Sequence, residues 1–119
     1  MEWKFIGDQP VYQQIITTIQ GAVLSGEFEP GGRVPAVREL AAAARVNPNT
    51  MQRALGELER QGLLVSAGTS GRYVTDDKEV LGQLRTQRLA ELAKQCAAQF
   101  AVYGLSPREA AALLERLEE

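Results

Sequence analysis

The sequence predicts a mainly α fold with a small β-hairpin wing: a winged helix-turn-helix followed by a two-helix C-terminal element. Three observations lead to this prediction. Apolar residues recur at helical spacing in several separate segments, two β-rich runs flank a loop of small residues, and a helix-ending glycine near the C-terminus precedes a new capping motif. We expect a domain of residues 1–76 that ends after the hairpin, and an element of residues 77–119 that holds the last two helices.

Residues 10–25 are predicted to form the first helix. Its apolar residues recur at helical spacing and form one buried face, made of Tyr12, Ile15, Ile16, Ile19, Ala22 and Val23. Ser25 and Gly26 end the helix. The opposite face is rich in Gln and Thr, and we expect it to be exposed to solvent.

Residues 33–62 have the pattern of two short helices joined by a tight turn. The first covers residues 36–44, and Asn47 fits the N-cap of the second, with Pro48 at its first position. The second helix runs to about Arg60, and Gly62 follows as a left-handed terminator. Its buried face is expected to consist of Met51, Ala54, Leu55 and Leu58. Such a pair forms a helix-turn-helix whose second helix can enter the DNA major groove, although the same pattern also suits an αα-hairpin with a solvated outer face.

Residues 63–67 and 72–75 are β-rich and are joined by the small-residue loop Gly68-Thr69-Ser70-Gly71. A hairpin directly after a recognition helix is the layout of a winged helix. Glycine in the loop would allow the backbone to approach a phosphate or a groove edge.

The C-terminal residues predict two more helices with unpartnered apolar faces. Residues 77–103 form one long helix that Gly104 ends, and Ser106, Pro107 and Glu109 fit a capping box that starts the last helix. We expect a second copy of the chain to cover the apolar residues of both helices, because a symmetric homodimer is the commonest arrangement; the alternative is that the tail folds back on its own winged helix. The candidate dimerisation residues are Leu81, Leu84, Leu92, Cys96, Phe100, Tyr103, Leu113, Leu114 and Leu117.

Residues 9–75 resemble the winged helix of GntR-type bacterial transcription regulators. The similarity is dense in the segments PVYQQIITTIQGAVLSGEFEPGGRVPAVRELA, VNPNTMQRALGELERQGLL and GRYV. The form VNPNTMQRA and the short C-terminal tail resemble the YtrA subfamily in particular. This resemblance implies sequence-specific binding of double-stranded DNA as a homodimer, most often as a repressor, and a bacterial cytoplasmic location.

The resemblance also implies roles for individual residues. Arg38 matches an Arg early in the second helix that contacts phosphate or bases, and Gly71 matches the wing glycine. Gln52 lies where many relatives place a base-reading Arg, and Arg53 follows it. The remaining matches form the N-terminus of the recognition helix, namely Asn47, Pro48, Asn49 and Thr50. We expect Asn49 and Gln52 to read bases, since an amide can pair with adenine, and Arg38 and Arg53 to contact phosphates.

Three positions depart from the family pattern. Ala36 replaces the usual Ser, which removes a hydroxyl N-cap worth about 0.5–2 kcal/mol. Arg45 stands where a turn glycine is frequent, at a cost of about 1–2 kcal/mol if its φ is positive, and it adds a cation on the DNA side. Arg72 occupies a wing position more often held by Thr or Ser, and we expect it to contact phosphate.

The charge distribution is compatible with binding to DNA. The chain has 119 residues and a net charge of −2. Residues 31–72, however, hold six cations and three anions, a local charge of +3, whereas residues 76–119 hold six cations and eight anions. The field near the predicted recognition helix therefore favours phosphate.

The composition argues against enzymatic chemistry. The chain has no His and a single Cys, so imidazole bases and the usual zinc sites are excluded, and we expect neither a metal nor another cofactor. Cys96 is interpreted as a small buried apolar residue rather than a redox switch. No apolar run is long enough for a membrane span, and no signal-peptide pattern is present. We expect no catalytic residue.

Taken together, these patterns predict a sequence-specific DNA-binding regulator that acts as a homodimer on an inverted repeat. The resemblance further implies control of genes for ABC-type transporters or for envelope stress. Two alternatives stay open: a winged-helix module used only for protein–protein assembly, and a sensor whose small-molecule effector binds between tail and winged helix or at the dimer interface. The sequence identifies no effector, operator or regulated gene.

Overall fold

A computed structural model describes residues 1–119. Five α-helices and one two-stranded antiparallel sheet follow in the order α1 (Val11–Leu24), α2 (Val37–Ala44), α3 (Pro48–Arg60), β1 (Leu64–Ser66), β2 (Arg72–Val74), α4 (Lys78–Val102) and α5 (Pro107–Glu115). Single 3₁₀ turns lie at Gly68–Ser70 and Arg116–Glu118. This confirms the predicted fold class. The chain divides into two compact units, residues 1–82 and residues 83–119.

The first unit has a core formed by α1, α2 and α3. Helix α3 packs against both α1 and α2, and every residue predicted for its buried face is indeed buried. The core takes apolar residues from all three helices and the hairpin, among them Ile15, Ile19, Leu40, Met51, Leu55, Leu58, Leu64 and Val74. Burial of such side chains stabilises the fold by about 1.5–3 kcal/mol each. The core therefore provides a rigid support for the exposed face of α3.

The expectation that the polar face of α1 is fully solvated was wrong. Gln14 and Gln20 are buried. The Gln14 amide bonds the N-terminal segment: its Oε1 accepts from the Ile6 N–H at 2.7 Å, and its Nε2 donates to the carbonyls of Ile6 and Gln9, both at 2.8 Å. Gln20 Nε2 donates to Gln61 Oε1 at 3.0 Å. Both amides are hydrogen-bonded, which offsets the cost of burying them.

The hairpin is extended on one side by residues that precede α2. Strands β1 and β2 pair in the register Leu64↔Val74, Val65↔Tyr73 and Ser66↔Arg72. An isolated antiparallel bridge then joins Arg33 to Tyr73, with the Val34 N–H donating to the Arg72 carbonyl at 2.9 Å. This pairing fixes the start of the helix-turn-helix to the wing.

The second unit consists of the remainder of α4 and of α5. Gly104, with φ of +78°, follows α4, and the predicted capping box starts α5. Glu109 N donates to Ser106 Oγ at 3.2 Å, and Ser106 N donates to Glu109 Oε1 at 3.0 Å. The bond from the Ser106 backbone is the main reason that the pKa of the Glu109 carboxyl lies below its ordinary value, and the Ser106 hydroxyl adds to the effect. The helices of the chain are too short or too polar to cross a membrane.

Candidate nucleic-acid interface

The N-terminal turn of α3 is ordered by its own side chains. Asn47 is in an extended conformation, and its Oδ1 accepts a hydrogen bond from the Asn49 N–H at 2.7 Å. Pro48 occupies the first helical position, where its lack of an N–H costs no hydrogen bond. The remaining free N–H groups and the helix dipole place partial positive charge at this end of α3. These features favour a nearby phosphate or another acceptor.

The exposed face of α3 carries the predicted base-reading side chains. Asn49, Gln52 and Arg53 are exposed, and their spacing places them on one helical face. Met51, Ala54, Leu55 and Leu58 are buried on the opposite face. Thr50 is half-buried beside the first turn. Because the apolar face is anchored in the core, the polar side chains project from a fixed backbone.

Arg53 is further oriented by an aromatic ring. Its guanidinium carbon lies 4.9 Å from the centre of the Tyr12 ring, within the range of a cation–π interaction. Tyr12 belongs to α1, so this contact joins the first helix to the exposed face of α3. Tyr12 was predicted only as part of the apolar stripe, and its half-exposed ring in the structure has this second contact.

Two further predicted cations lie on and after α2. Arg38 is exposed in the first turn of α2, whose N-cap residue Ala36 forms no side-chain hydrogen bond, as expected from the missing hydroxyl. Arg45 is exposed and lies in the turn between α2 and α3, with φ of +58° and ψ of +47°. A residue with a Cβ in this left-handed conformation costs about 1–2 kcal/mol, and the helix-turn-helix retains Arg45 at this position despite that cost.

The wing contains the last two predicted residues. Gly71 follows the 3₁₀ turn with φ of +105°, a conformation that residues with a Cβ rarely adopt. Arg72 differs from the other predicted arginines because its Nε forms an ion pair with Glu59 Oε1 of α3, and its side chain is only 18% exposed. Its charge is thus partly neutralised within the protein.

Arg33 is a further cation beside the wing, and its sequence context did not indicate a role in the site. It is exposed, its backbone bridges to Tyr73, and its guanidinium lies against Gly71. The only available signal in the sequence was a cation just before the predicted α2. Its neighbour Gly71 is far along the chain, so residue spacing alone could not reveal the contact.

The predicted dimerisation residues fall into three groups by exposure. Leu84 is buried within the single chain, and Leu81, Cys96 and Phe100 are half-buried. Cys96 is thus less buried in the single chain than predicted. The exposed group, which we term the exposed apolar set, consists of Leu92, Tyr103, Leu113, Leu114 and Leu117.

No group of three or more His, Cys, Asp or Glu side chains is arranged to hold a metal ion. The exposed polar face of α3, its capped N-terminus and the neighbouring cations are instead suited to bind an extended anion with hydrogen-bonding edges, which describes duplex DNA.

Comparison with known families and proteins agrees with this description. A family model described as bacterial regulatory proteins, gntR family, matches residues 11–74. The transcriptional regulator YhcF of Bacillus subtilis is 31% identical over 92% of this chain and 90% of its own length. The transcriptional repressor YtrA of the same organism is 37% identical over 72% of this chain and 67% of its own length.

Solved structures show the same relationship. A GntR family transcriptional regulator from Listeria monocytogenes superposes with a TM-score of 0.83 at 30% identity, over 94% of this chain and 98% of that one. The DNA-binding domain of AraR, in complex with its operator ORX1, superposes with a TM-score of 0.58 at 30% identity, over 63% of this chain and 96% of that one.

Proposed function

Because the chain belongs to the GntR family of bacterial transcription regulators, in its YtrA subfamily, we propose that it binds one specific DNA sequence as a homodimer and represses transcription there. The family consists of regulators, which confirms the prediction that the chain is not an enzyme. The observation that carries the proposal is the exposed face of α3, where Asn49, Gln52 and Arg53 project from a helix whose opposite face is fixed in the core.

The direct contacts are assigned by side-chain chemistry. The amides of Asn49 and Gln52 each present a donor and an acceptor, which match the N7 and N6 groups of adenine in the major groove. Arg38, Arg45 and Arg53 are exposed cations that contact phosphates and set the register of the protein on the duplex. Asn47 and Pro48 order the turn from which Asn49 and Thr50 approach the DNA. In this assignment the two amides recognise the bases, whereas the neighbouring arginines position the protein on the duplex.

The homodimer is supported by the exposed apolar set in the second unit. Leu92 is 57% exposed and Leu117 is 80% exposed, although both occur at helical spacing typical of a buried stripe. A second copy offers the matching surface under two-fold symmetry. We therefore propose that the winged helix-turn-helix of residues 1–76 binds DNA, and that residues 77–119, which include the whole second unit, form the dimer.

A homodimer of this kind reads an inverted repeat. Each subunit offers one recognition helix, so the two-fold symmetry of the protein is copied in the operator, with half-site centres about 10 base pairs apart or a multiple of that. Repression is inferred from the repressor YtrA, which shares 37% identity with the chain. The cytoplasm of a bacterium, where the chromosome lies, is the proposed location.

Selection of bound fragments from genomic DNA, followed by sequencing, tests the proposal and yields the operator. The expected result is an enriched inverted repeat and saturable binding that resists random competitor DNA. Gln52→Ala should then lower discrimination at one base pair in each half-site by about 1–3 kcal/mol, with almost unchanged affinity for random DNA. A chain that gives no competitor-resistant binding would be an assembly module and would refute the proposal.

A further inference from the structure

Two arginines lie at the wing, Arg72 within β2 and Arg33 in the segment that bridges to Tyr73, and their guanidinium groups differ in whether a carboxylate already binds them. Arg72 lies on β2, and its Nε is paired with Glu59 Oε1 of α3. The two side chains are only 18% and 29% exposed. A phosphate that bound Arg72 would have to compete with this carboxylate, so Arg72 is better suited to hold the wing against α3.

Arg33 has no such competitor. Its side chain is exposed, and no carboxylate lies within 4.0 Å of it. Its backbone is fixed by the bridge to Tyr73 and by hydrogen bonds on either side, from the Val34 N–H to the Arg72 carbonyl and from the Val74 N–H to the Gly32 carbonyl, both at 2.9 Å. An exposed, charged side chain thus stands on a backbone held by the sheet.

Gly71 provides the surface on which this guanidinium lies. A Cβ at position 71 would be 3.1 Å from Arg33 Nε and 3.4 Å from Arg33 Nη2, the first of which is tighter than an ordinary van der Waals contact. A side chain at position 71 would therefore begin in close contact with the guanidinium and would displace it by a few tenths of an ångström. The φ of +105° at Gly71 also favours glycine there.

We infer that Arg33, seated on Gly71, is the residue of the wing that binds a DNA phosphate, and that Arg72 is a structural residue. This inference rests on the proposed function. The guanidinium is planar, permanently charged and carries five N–H donors, which suits paired hydrogen bonds to phosphate oxygens. Glycine at position 71 keeps this group close to the loop that approaches the duplex. The phosphate contact of the wing then comes from the segment that precedes α2.

The salt dependence of binding to the selected operator tests the assignment. Arg33→Ala should make the slope of log affinity against log salt shallower by about two for a dimer, since each lost phosphate contact removes about 0.9. Raising the salt from 50 to 200 mM would then weaken the wild type by about tenfold more than the variant. Operator and random DNA should be affected alike, because phosphates carry no sequence information.

Two control variants separate this contact from a general change in charge. Arg60→Ala removes the same charge at the far end of α3, where Arg60 is 77% exposed and paired with Glu57, and should leave the slope unchanged. The double variant Glu59→Gln with Arg72→Gln removes the ion pair at constant net charge, and it too should keep the wild-type slope. A shallower slope in the double variant, together with a wild-type slope for Arg33→Ala, would overturn the inference.

Gly71→Ala gives an independent test of the contact between Gly71 and the Arg33 guanidinium. It should weaken operator binding in the wild-type background and add little to the loss in the Arg33→Ala background, with thermal unfolding confirming that both proteins are folded. Equal losses in the two backgrounds would overturn the role of Gly71 as the seat of Arg33. A wild-type protein with no saturable DNA site would instead refute the proposed function, which is a distinct outcome.

Discussion

The two units of the chain bury their apolar residues to very different extents. In residues 1–82, sixteen apolar residues are buried and α1, α2 and α3 share a single core. In residues 83–119 only Leu84 and Ala110 are buried, although leucines recur along both helices. The first unit thus has the core of an independent domain. The second has apolar residues that no part of its own unit covers.

Because of this difference, we expect the two units to be stabilised by different kinds of apolar burial. Burial inside one chain stabilises folding at any concentration, whereas burial between two chains depends on the concentration of the chain. The polar face of α3 is supported by the first kind of burial. We propose that the exposed apolar set is buried only between two chains. Substitutions of the same chemical type should therefore have different effects in the two units.

The largest effect is expected from charges placed at two predicted dimerisation residues of α4, the exposed Leu92 and the half-buried Phe100. Leu92→Asp combined with Phe100→Asp would bring two carboxylates into an apolar interface, at a cost of several kcal/mol. Light scattering should report a monomer, and binding to the operator should be greatly weakened. Gln87→Asp with Ala98→Asp adds the same charge on the opposite face of α4, where both residues are exposed, and should remain dimeric. A Leu92/Phe100 variant that stays dimeric would contradict the interface.

The same truncation of a leucine should have different effects in the two units. Leu55 is fully buried in the first unit, so Leu55→Ala should lower the free energy of unfolding by about 2–5 kcal/mol. Leu92→Ala removes the same atoms from an exposed position, and at concentrations where the chain is monomeric it should change unfolding by less than about 0.5 kcal/mol. It should instead raise the dimer dissociation constant. Chemical denaturation at two protein concentrations measures both quantities, and equal losses in the dilute samples would refute the distinction.

A smaller effect is expected where α1 supports the exposed face of α3. Tyr12→Leu removes the ring over which the Arg53 guanidinium lies at 4.9 Å. An exposed cation–π contact is worth about 0.5–1 kcal/mol, so operator affinity should fall by about two- to fivefold, whereas Tyr12→Phe should be close to wild type. In the Arg53→Ala background, Tyr12→Leu should not lower operator affinity further, as measured by titration of the operator. The same loss of affinity in both backgrounds would show that Tyr12 acts independently of Arg53.

The smallest effect concerns the capping box of α5. The pKa of Glu109 is lower in the folded state than its ordinary value. The ionised carboxyl therefore stabilises the folded state fully above the ordinary pKa of glutamate, about 4.3. This stabilisation is lost as the pH falls through the lowered pKa. The Ser106 and Glu109 amide resonances should report this transition in NMR spectra. Glu109→Gln should abolish it. A midpoint for Glu109 at or above the ordinary value would contradict the hydrogen bond from Ser106.

The features that the sequence predicted correctly depend on contacts within a few residues. The Asn47 cap bonds an amide two residues away, the Ser106 capping box spans three residues, and Gly62 terminates the helix beside it with φ of +81°. Such spacings are set by helix geometry and are visible in the order of residues. The boundaries of the helix-turn-helix could be predicted for the same reason, whereas the hairpin was predicted from two β-rich runs around a loop of small residues.

The features that were missed depend on side-chain contacts that no helix or turn spacing indicates. Gln14 looked like a solvated residue because its backbone partners at Ile6 and Gln9 lie in a segment without a recognisable pattern. Arg72 looked like a free cation because nothing near it in the sequence indicates Glu59, thirteen residues earlier. Pairing between distant residues decides which of the predicted cations carry a carboxylate partner in the folded chain, and the order of residues does not show it.

In the proposed dimer, a second copy of the chain covers the exposed apolar set, so that two α3 helices read one operator. The mass of the protein bound to the selected DNA fragment, measured by light scattering under saturating conditions, tests it most directly. We expect two chains on each duplex, at an inverted repeat. One chain on each duplex, at a single asymmetric half-site, would contradict it.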